Sequence, residues 1–235
     1  MSSLLRYAAV GLCALLAVFL GGCNAQRSQE AFQLTDITGA QFARDFQLTD
    51  QYGKLRSLAD FKGQVVAVFF GYTHCPDVCP TTLHDLAVVR EGLGSDAQRM
   101  QVVFITVDPE RDTQELMARY VPAFDASFLG MRGDAEATAK VAKEFKVYYQ
   151  KQALAGGDYS MDHTAGSYIF DTAGRVRLFA QYGASATSML HDVRLLLQET
   201  HSAVAAGSVA LNFQKVKATL ADSGRWLGVC ICSQP

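Results

Sequence analysis

An unbroken run of β-branched and aromatic residues from Val65 to Phe70 is the feature that most constrains the fold of this chain. A run of this kind, with no polar alternation, is typical of a central strand that is buried on both faces of a sheet. It leads into the segment 71–80, GYTHCPDVCP, and then into helical apolar spacing from Thr81 to Arg90. We expect a helix there, with Thr81 or Thr82 as its N-cap.

The alternation of strand and helix continues along the chain. Val102 to Val107 predicts a second buried strand, and a helix capped by Asp112 or Thr113 follows it. The remaining predicted elements are a hairpin turn at Asp50–Gly53, a short strand at Phe128–Met131, a helix at Asp134–Phe145, a polar insertion at Gln150–Met161, a hairpin of Ser167–Asp171 and Val176–Ala180, and a helix at Ser185–Glu199. This order predicts an α/β, thioredoxin-like fold: a central mixed β-sheet flanked by helices, with an N-terminal hairpin and an insertion before the last β-hairpin.

Composition excludes some classes of function. A chain of 235 residues, 49% apolar and 19% charged, is long enough for one well-buried domain with short attachments. The formal net charge is −2, and lysines and arginines are scattered along the chain, so the sequence lacks the basic surface that a nucleic acid would require.

The N-terminus resembles a bacterial lipoprotein signal. Arg6 precedes an apolar run from Ala8 to Leu20, which has the length of a signal-peptide core and is short for a membrane span. Small residues then precede Cys23, as in a lipobox, and this resemblance implies cleavage before Cys23 and its acylation. The alternative is an uncleaved signal anchor. Both place the rest of the chain at a bacterial cell membrane facing the periplasm, and Asn24 leaves the choice of inner or outer membrane open.

We therefore expect four segments along the chain. They are a signal peptide at 1–22, a lipid-anchored tether at 23–42, a thioredoxin-like domain at 43–199, and a C-terminal extension of unknown role at 200–235.

The six cysteines divide by compartment. Cys13 would leave with the signal peptide and Cys23 would carry lipid. The other four form two close pairs, whose spacing does not resemble a disulfide framework: Cys75 with Cys79, and Cys230 with Cys232. For the terminal pair, copper chelation and a reactive pair without a set role both stay open.

The first pair has the chemistry of a functional site. Exposed amides and the dipole at a helix N-terminus lower thiol pKa values, and a thiolate is both a nucleophile and a soft-metal ligand. Oxidoreductases of this fold usually have two residues between the cysteines, whereas Cys75 and Cys79 have three. A structural disulfide is a further alternative.

A histidine favours the metal interpretation. In a thioredoxin-like fold, the segment that contains His163 lies across from the cysteine loop. Two thiolates suit Cu(I), and an added imidazole lets a site hold Cu(I) or Cu(II). Zinc would call for a fourth protein ligand, and the sequence shows no obvious one.

Three separated motifs resemble the Sco/SenC family: the segment 71–80, the segment 106–113 (TVDPERDT) and the segment 162–164 (DHT). The resemblance covers roughly Phe46 to Leu197. It implies a copper chaperone that delivers copper to the copper-accepting subunit of cytochrome c oxidase, with Cys75, Cys79 and His163 as copper ligands. Other periplasmic copper or thiol-redox proteins are further expected partners.

Neighbouring residues carry secondary predictions. Asp77 would cap helix amides or tune the thiolates, and Asp162 would orient His163. The acidic turn at 108–112 has two possible explanations, entry into the following helix or a surface for a partner. The partner surface would be formed by Asp108, Pro109, Arg111 and Asp112. We expect Met161 to pack in the core and His74, His84, His191 and His201 not to act as ligands.

Two functions stay in competition. The first is metallochaperone activity without turnover, which needs all three ligands. The second is a thiol–disulfide oxidoreductase that reduces the cysteines of the copper acceptor and needs only Cys75 and Cys79. A peroxidase-like protein is a third class, but the single reactive cysteine with nearby Arg and Thr that it requires is not evident.

Overall fold

The computed structural model describes residues 31–199. The predicted signal peptide, Cys23, His201 and the extension with Cys230 and Cys232 lie outside these residues. No helix among the described residues combines the length and apolar character needed to cross a membrane.

Ten strands and four α-helices make up the described part of the chain. The strands are β1 Thr35–Asp36, β2 Leu48–Asp50, β3 Leu55–Arg56, β4 Val65–Gly71, β5 Met100–Thr106, β6 Leu129–Arg132, β7 Tyr149–Ala153, β8 Tyr159–His163, β9 Gly166–Phe170 and β10 Val176–Gln181. The α-helices are α1 Val78–Gly92, α2 Gln114–Tyr120, α3 Ala135–Glu144 and α4 at 186–199. Short 3-10 segments lie at Leu58–Phe61, Gly94–Arg99, Val121–Ala123 and Ala155–Gly157.

Eight strands form one mixed sheet in the order β1-β10-β9-β4-β5-β6-β2-β3. Strands β4, β5 and β6 are parallel, and β9 pairs with β4 in the antiparallel sense. The predicted hairpins β2–β3 and β9–β10 are both present. The predicted fold class, α/β with a central mixed sheet flanked by helices, is confirmed.

Strand β4 lies at the centre of the core. All seven of its residues are buried, as its unbroken apolar sequence predicts. Its successive side chains point to opposite faces of the sheet. Phe69 packs beside Phe104 of the neighbouring strand β5 on one face, and Phe70 packs against Phe145 at the end of α3 on the other. All four rings are fully buried, so both faces are covered.

The N-terminal boundary of the folded part differs from the prediction. Residues 35–36 of the predicted tether form β1, which pairs with β10. The backbone N–H groups of Gln33 and Leu34 donate to the buried Asp192 carboxylate of α4 at 2.8–3.0 Å. Chain from about residue 32 therefore packs on the domain, and the prediction that the tether extends to residue 42 was wrong.

The polar insertion also has more structure than the sequence indicated. Residues 149–163 contain a two-stranded antiparallel sheet, β7–β8, which is separate from the eight-stranded sheet. Most of its side chains are at least partly exposed, with Met161 the buried residue of β8. Met161 belongs to the core, as predicted.

Candidate metal centre

Cys75 and Cys79 lie in different structural settings. Cys75 is in the loop between β4 and α1 and is partly exposed, whereas Cys79 is in the first turn of α1 and is fully buried. Neither forms a disulfide. The Cys79 backbone N–H has no partner within its own helix at this position and donates to Cys75 Sγ at 3.5 Å. The helix N-terminus therefore points at the loop cysteine.

Helix α1 begins earlier than the sequence predicted. Its first residue is Val78 and Asp77 occupies the N-cap position, so the prediction of Thr81 or Thr82 as N-cap was wrong. The reason is Pro80, which fits inside a first helical turn because its missing N–H costs no intrahelical bond there. Asp77 makes no side-chain bond to the helix amides, and its carboxylate accepts from Thr81 Oγ1 at 3.3 Å.

His163 reaches the cysteine pair from the end of β8. Its Nε2 lies 3.5 Å from Cys79 Sγ. Its Nδ1 lies 3.1 Å from the Thr164 carbonyl oxygen, which can only accept, so this contact places the ring hydrogen on Nδ1 and leaves the Nε2 lone pair free. Among the described residues, the ligand atoms of Cys75, Cys79 and His163 lie within 4.8 Å of one another.

Two aromatic rings hold the imidazole edge-on. The Tyr72 ring centroid lies 5.9 Å from that of His163 at an interplanar angle of 89°, and Phe69 lies at 6.2 Å and 69°. Tyr72 directly follows β4, so the strand that leads into the cysteine loop also shapes the histidine pocket. Tyr72 was not assigned a role from the sequence, although its position beside the cysteine motif was a usable signal.

The two thiols differ strongly in pKa because their environments differ. Hydrogen bonding from Cys79 lowers the pKa of Cys75 to about 3, against the opposing effect of burial and with help from the backbone N–H groups of Asp77 and Cys79. The neighbouring Cys75 thiolate and burial together raise the pKa of Cys79 well above its ordinary range. The pair therefore carries one negative charge at neutral pH, with Cys75 as the thiolate. Asp77 acts on Cys75 through its backbone N–H and not through its carboxylate, and the predicted capping of helix amides by its side chain is absent.

Asp162 does not orient the imidazole. Its carboxylate accepts from Gln152 Nε2 at 2.7 Å, across the hairpin from the partner strand β7. Successive side chains of a strand point to opposite sides, so Asp162 faces away from its neighbour His163. The Thr164 carbonyl takes the place that we predicted for Asp162, and that prediction was wrong.

The acidic turn at 108–112 has two internal carboxylates, those of Asp108 and Asp112, and one exposed carboxylate, that of Glu110. Asp108 and Asp112 are 1% and 0% exposed, so they do not form the partner surface that we predicted with Pro109 and Arg111. Asp112 accepts from Thr73 Oγ1 and Thr106 Oγ1, each at 2.5 Å, and so ties the cysteine loop to the end of β5. The prediction of Thr113 as helix cap is confirmed, because its side chain accepts from the Leu116 N–H.

The other described histidines lie apart from this cluster. His74 is half-exposed and its Nδ1 contacts Thr73 Oγ1 at 3.1 Å. His84 is exposed on α1, and His191 contacts Asp192 on α4. None of the three belongs to the Cys75–Cys79–His163 group.

The SCO1/SenC family model matches residues 28–198, well over half of the 235 residues. The chain belongs to the SCO1/SenC family. This SCO1/SenC chain is 43% identical to the mitochondrial SCO2 homologue of Bos taurus over 147 residues, which cover 61% of the chain and 54% of the bovine protein. It is 36% identical to the mitochondrial SCO1 homologue of Homo sapiens over 132 residues, or 55% and 44% of the two proteins. The chain thus spans about half the length of these relatives.

Solved SCO1/SenC structures share the fold. Bradyrhizobium japonicum ScoI with copper bound is 42% identical, with a TM-score of 0.59 and coverage of 64% of this chain and 96% of that one. Arabidopsis thaliana ScoI with copper bound is 31% identical, with a TM-score of 0.62 and coverage of 66% and 97%. The thioredoxin-like fold and the family resemblance predicted from sequence are both confirmed.

Proposed function

We propose that this chain binds one copper ion through Cys75 Sγ, Cys79 Sγ and His163 Nε2 and passes it to the copper centre of cytochrome c oxidase. The observation that carries the proposal is the convergence of two sulfurs and one imidazole nitrogen within 4.8 Å. The copper-bound structures of two relatives support it. Copper here is cargo, so the chain acts as a metallochaperone.

The donor set fits copper in both valences. Two thiolates are soft ligands for Cu(I), and the imidazole nitrogen supports Cu(II) as well. The Thr164 carbonyl holds Nδ1–H, which keeps Nε2 available as the donor atom. Copper uptake needs both sulfurs as thiolates, so Cys79 must give up its proton when the metal enters.

Delivery would proceed by ligand exchange. Incoming thiols of the acceptor replace the sulfurs of this chain one at a time, so that copper is never released to solvent. We further propose that Cys23 carries the lipid that anchors the chain to the membrane on its periplasmic side. A tether of this kind raises the local concentration of the chain near a membrane-embedded acceptor. Loss of membrane association in Cys23→Ser is the expected result.

The second candidate is a thiol–disulfide oxidoreductase, and the acidic, partly exposed Cys75 beside the buried Cys79 favours it. The Cys75 thiolate would attack an acceptor disulfide and release one acceptor thiolate, which leaves a mixed disulfide. Cys79, on losing its proton, would attack the Cys75 sulfur and release the second acceptor thiolate. The chain ends with a Cys75–Cys79 disulfide, and the acceptor gains two electrons.

Copper content separates the two candidates. The reduced chain, loaded with Cu(I) under anaerobic conditions and desalted, is expected to retain one copper, and Cys75→Ala and His163→Ala are expected to lose stoichiometric binding. His84→Ala is the matched control, because His84 is an exposed histidine outside the cluster. A variant without Cys230 and Cys232 accounts for any copper held by the C-terminal pair.

Full copper affinity in His163→Ala would contradict the three-ligand site. Reduction of an acceptor disulfide at the wild-type rate by the same variant would favour the oxidoreductase, which does not need the imidazole.

A further inference from the structure

Arg111 fastens the hairpin that carries His163 to the turn at 108–112. Its Nη1 donates to the Tyr159 carbonyl at 2.8 Å and to Asp158 Oδ1 at 3.1 Å, both on the hairpin. Its guanidinium carbon lies 3.6 Å from the centroid of the Tyr159 ring, which is close cation–π stacking. The Arg111 side chain therefore contacts the start of β8 through hydrogen bonds, an ion pair and a cation–π interaction.

A buried carboxylate fixes Arg111 in turn. Arg111 Nε donates to Asp108 Oδ2 at 2.6 Å, and Asp108 is fully buried in its side chain. The other oxygen of Asp108 accepts from the Tyr159 hydroxyl at 2.9 Å. Asp108 thus binds both members of the stacked pair, which makes Asp108, Arg111 and Tyr159 one connected unit that we call the hairpin latch.

The latch matters because the two strands of the hairpin form ladder hydrogen bonds only with each other. Strands β7 and β8 belong to no larger sheet, so the hairpin is placed by side-chain contacts and by the chain link to β9, which begins three residues after His163. The latch acts at Tyr159, the first residue of β8, and His163 is its last. Tyr72 adds a second path, since its ring lies 5.8 Å from the Arg111 guanidinium carbon and 5.9 Å from the His163 ring.

We infer that Arg111 is a positioning residue for copper binding: through the hairpin latch it holds His163 Nε2 within reach of Cys75 and Cys79. The inference rests on the proposed function, because it assigns a residue to that same site. The same turn also holds the cysteine loop, through Asp112 and Thr73. The turn at 108–112 therefore sets the separation between the thiols and the imidazole, which is the role of these residues in place of a partner surface.

The test compares Arg111→Gln with Arg56→Gln. Arg56 is a matched control, because its Nε donates to the fully buried Asp50 at 2.8 Å and its side chain is 22% exposed, against 18% for Arg111. Arg56 lies on β3 at the far edge of the sheet. Cu(I) affinity is measured by anaerobic competition with bicinchoninate, and imidazole coordination by nitrogen hyperfine splitting in the EPR spectrum of the Cu(II) form.

We expect Arg111→Gln to weaken Cu(I) binding about tenfold and to reduce the nitrogen splitting. Arg56→Gln should match wild type in both. In a His163→Ala background, Arg111→Gln should cause no further loss, because a positioning residue has no effect once the group it positions is gone. Tyr159→Phe removes only the hydroxyl contact with Asp108 and should shift both readouts in the same direction, which keeps the test available if Arg111→Gln does not fold.

Wild-type affinity and nitrogen splitting in Arg111→Gln or, failing its folding, in Tyr159→Phe would overturn the inference. A tenfold loss that persists in the His163→Ala background would overturn it too, since the effect would not pass through the imidazole. A wild-type chain that binds no copper would instead overturn the proposed function, and the inference with it.

Discussion

Gly71 lies directly against Cys79. A Cβ atom on Gly71 would stand 2.8 Å from Cys79 Sγ and 2.8 Å from a carbon of the Phe104 ring. Cys79 and Phe104 are fully buried, so neither has free space into which it can withdraw. The glycine at the end of β4 is therefore what lets the helix bring a cysteine sulfur down onto the strand.

Gly71→Ala should displace the Cys79 sulfur and weaken copper binding. Overpacking of this kind typically costs about 1–3 kcal/mol of stability. Gly92→Ala is the control, because a Cβ there would meet Leu190 Cδ2 at 2.6 Å between α1 and α4, away from the site. Leu190 is partly exposed and its side chain can shift, and alanine favours a helix over glycine, so we expect only Gly71→Ala to lose stability in urea unfolding and copper affinity. Equal copper affinity in the two would show that the close approach at Gly71 has no part in the site.

The reduced chain without metal should show a thiolate in acid solution. The pKa of Cys75 is about 3, so absorbance at 240 nm should reveal one thiolate from about pH 4 upward. Cys79→Ser replaces the neighbouring thiol with a hydroxyl, which is a weaker acid, and alters the main hydrogen bond to Cys75. The absorbance step from the Cys75 thiolate should therefore move to a different pH. The Cys75→Ser variant should lack the acid step altogether. An ordinary thiol titration near pH 8–9 in the wild-type chain would contradict this assignment.

Copper uptake at neutral pH should release one proton from the pair. Cys75 is already ionised and Cys79 is not, because the adjacent thiolate and burial raise the pKa of Cys79. Calorimetric titration with Cu(I) in buffers of different ionisation enthalpy gives the proton count. A count of zero or of two would mean that the charge on the pair is not one.

Asp112 should make the domain less stable as pH rises. Burial raises its pKa above the usual 3.8, against hydrogen bonds from Thr106 and Thr73. Folding therefore favours the protonated acid, and this contribution is full below the unfolded-state pKa and is lost as pH rises through the higher folded-state pKa. The stability of Asp112→Asn relative to wild type should thus improve between about pH 3 and pH 7.

Asp125→Asn is the control for that experiment, because the pKa of Asp125 is shifted in the opposite direction from that of Asp112. Burial raises the pKa of Asp125, but hydrogen bonds from Ser127 and the charge of Arg90 lower it further, to below its usual range. Its contribution is present above the unfolded-state pKa and is lost as pH falls through the folded-state pKa. Parallel pH slopes for Asp112→Asn and Asp125→Asn in urea unfolding would exclude the assigned environments.

Asp192→Ala should release the N-terminal segment. The buried carboxylate accepts from the N–H groups of Gln33 and Leu34, so its loss leaves backbone donors unsatisfied, at a cost of about 2–4 kcal/mol. Hydrogen exchange at residues 33–37 should rise. Asp36→Ala, in which an exposed carboxylate is lost, should change stability by less than about 0.5 kcal/mol. Unchanged exchange in Asp192→Ala would show that this contact does not hold the segment.

The sequence was informative where structure depends on local pattern. Val65 to Phe70 is apolar without interruption and rich in β-branched and aromatic residues, which favours a strand covered on both faces, and the strand–helix alternation around it then limits the fold to few architectures. The Cys75–Cys79 pair and His163 were also accessible, because residue type and loop position restrict their chemistry. The start of α1 was missed because Pro80 is compatible both with a loop and with a first helical turn.

Elements that are stabilised by contacts distant in the sequence could not be predicted from local patterns. The hairpin β7–β8 is polar and mostly exposed, so it has no apolar periodicity, and Arg111 stabilises it from 47 residues away. The segment at 33–36 depends on Asp192, at a separation of 158 residues or more. Asp162 was misassigned for a related reason: without knowledge of β8, its orientation relative to His163 could not be derived.

The third proposed ligand, His163, lies on a two-stranded sheet that is separate from the large sheet. The sulfurs come from the junction of β4 and α1, where Cys79 is fully buried, whereas the imidazole comes from an appendage with its own ladder. Substitutions in the appendage can therefore accumulate without disturbing the strand order of the large sheet. The donor that joins the two sulfurs can therefore be altered by changes within the 15 residues at 149–163, provided that Met161 stays in the core and Tyr159 keeps its contact with Arg111.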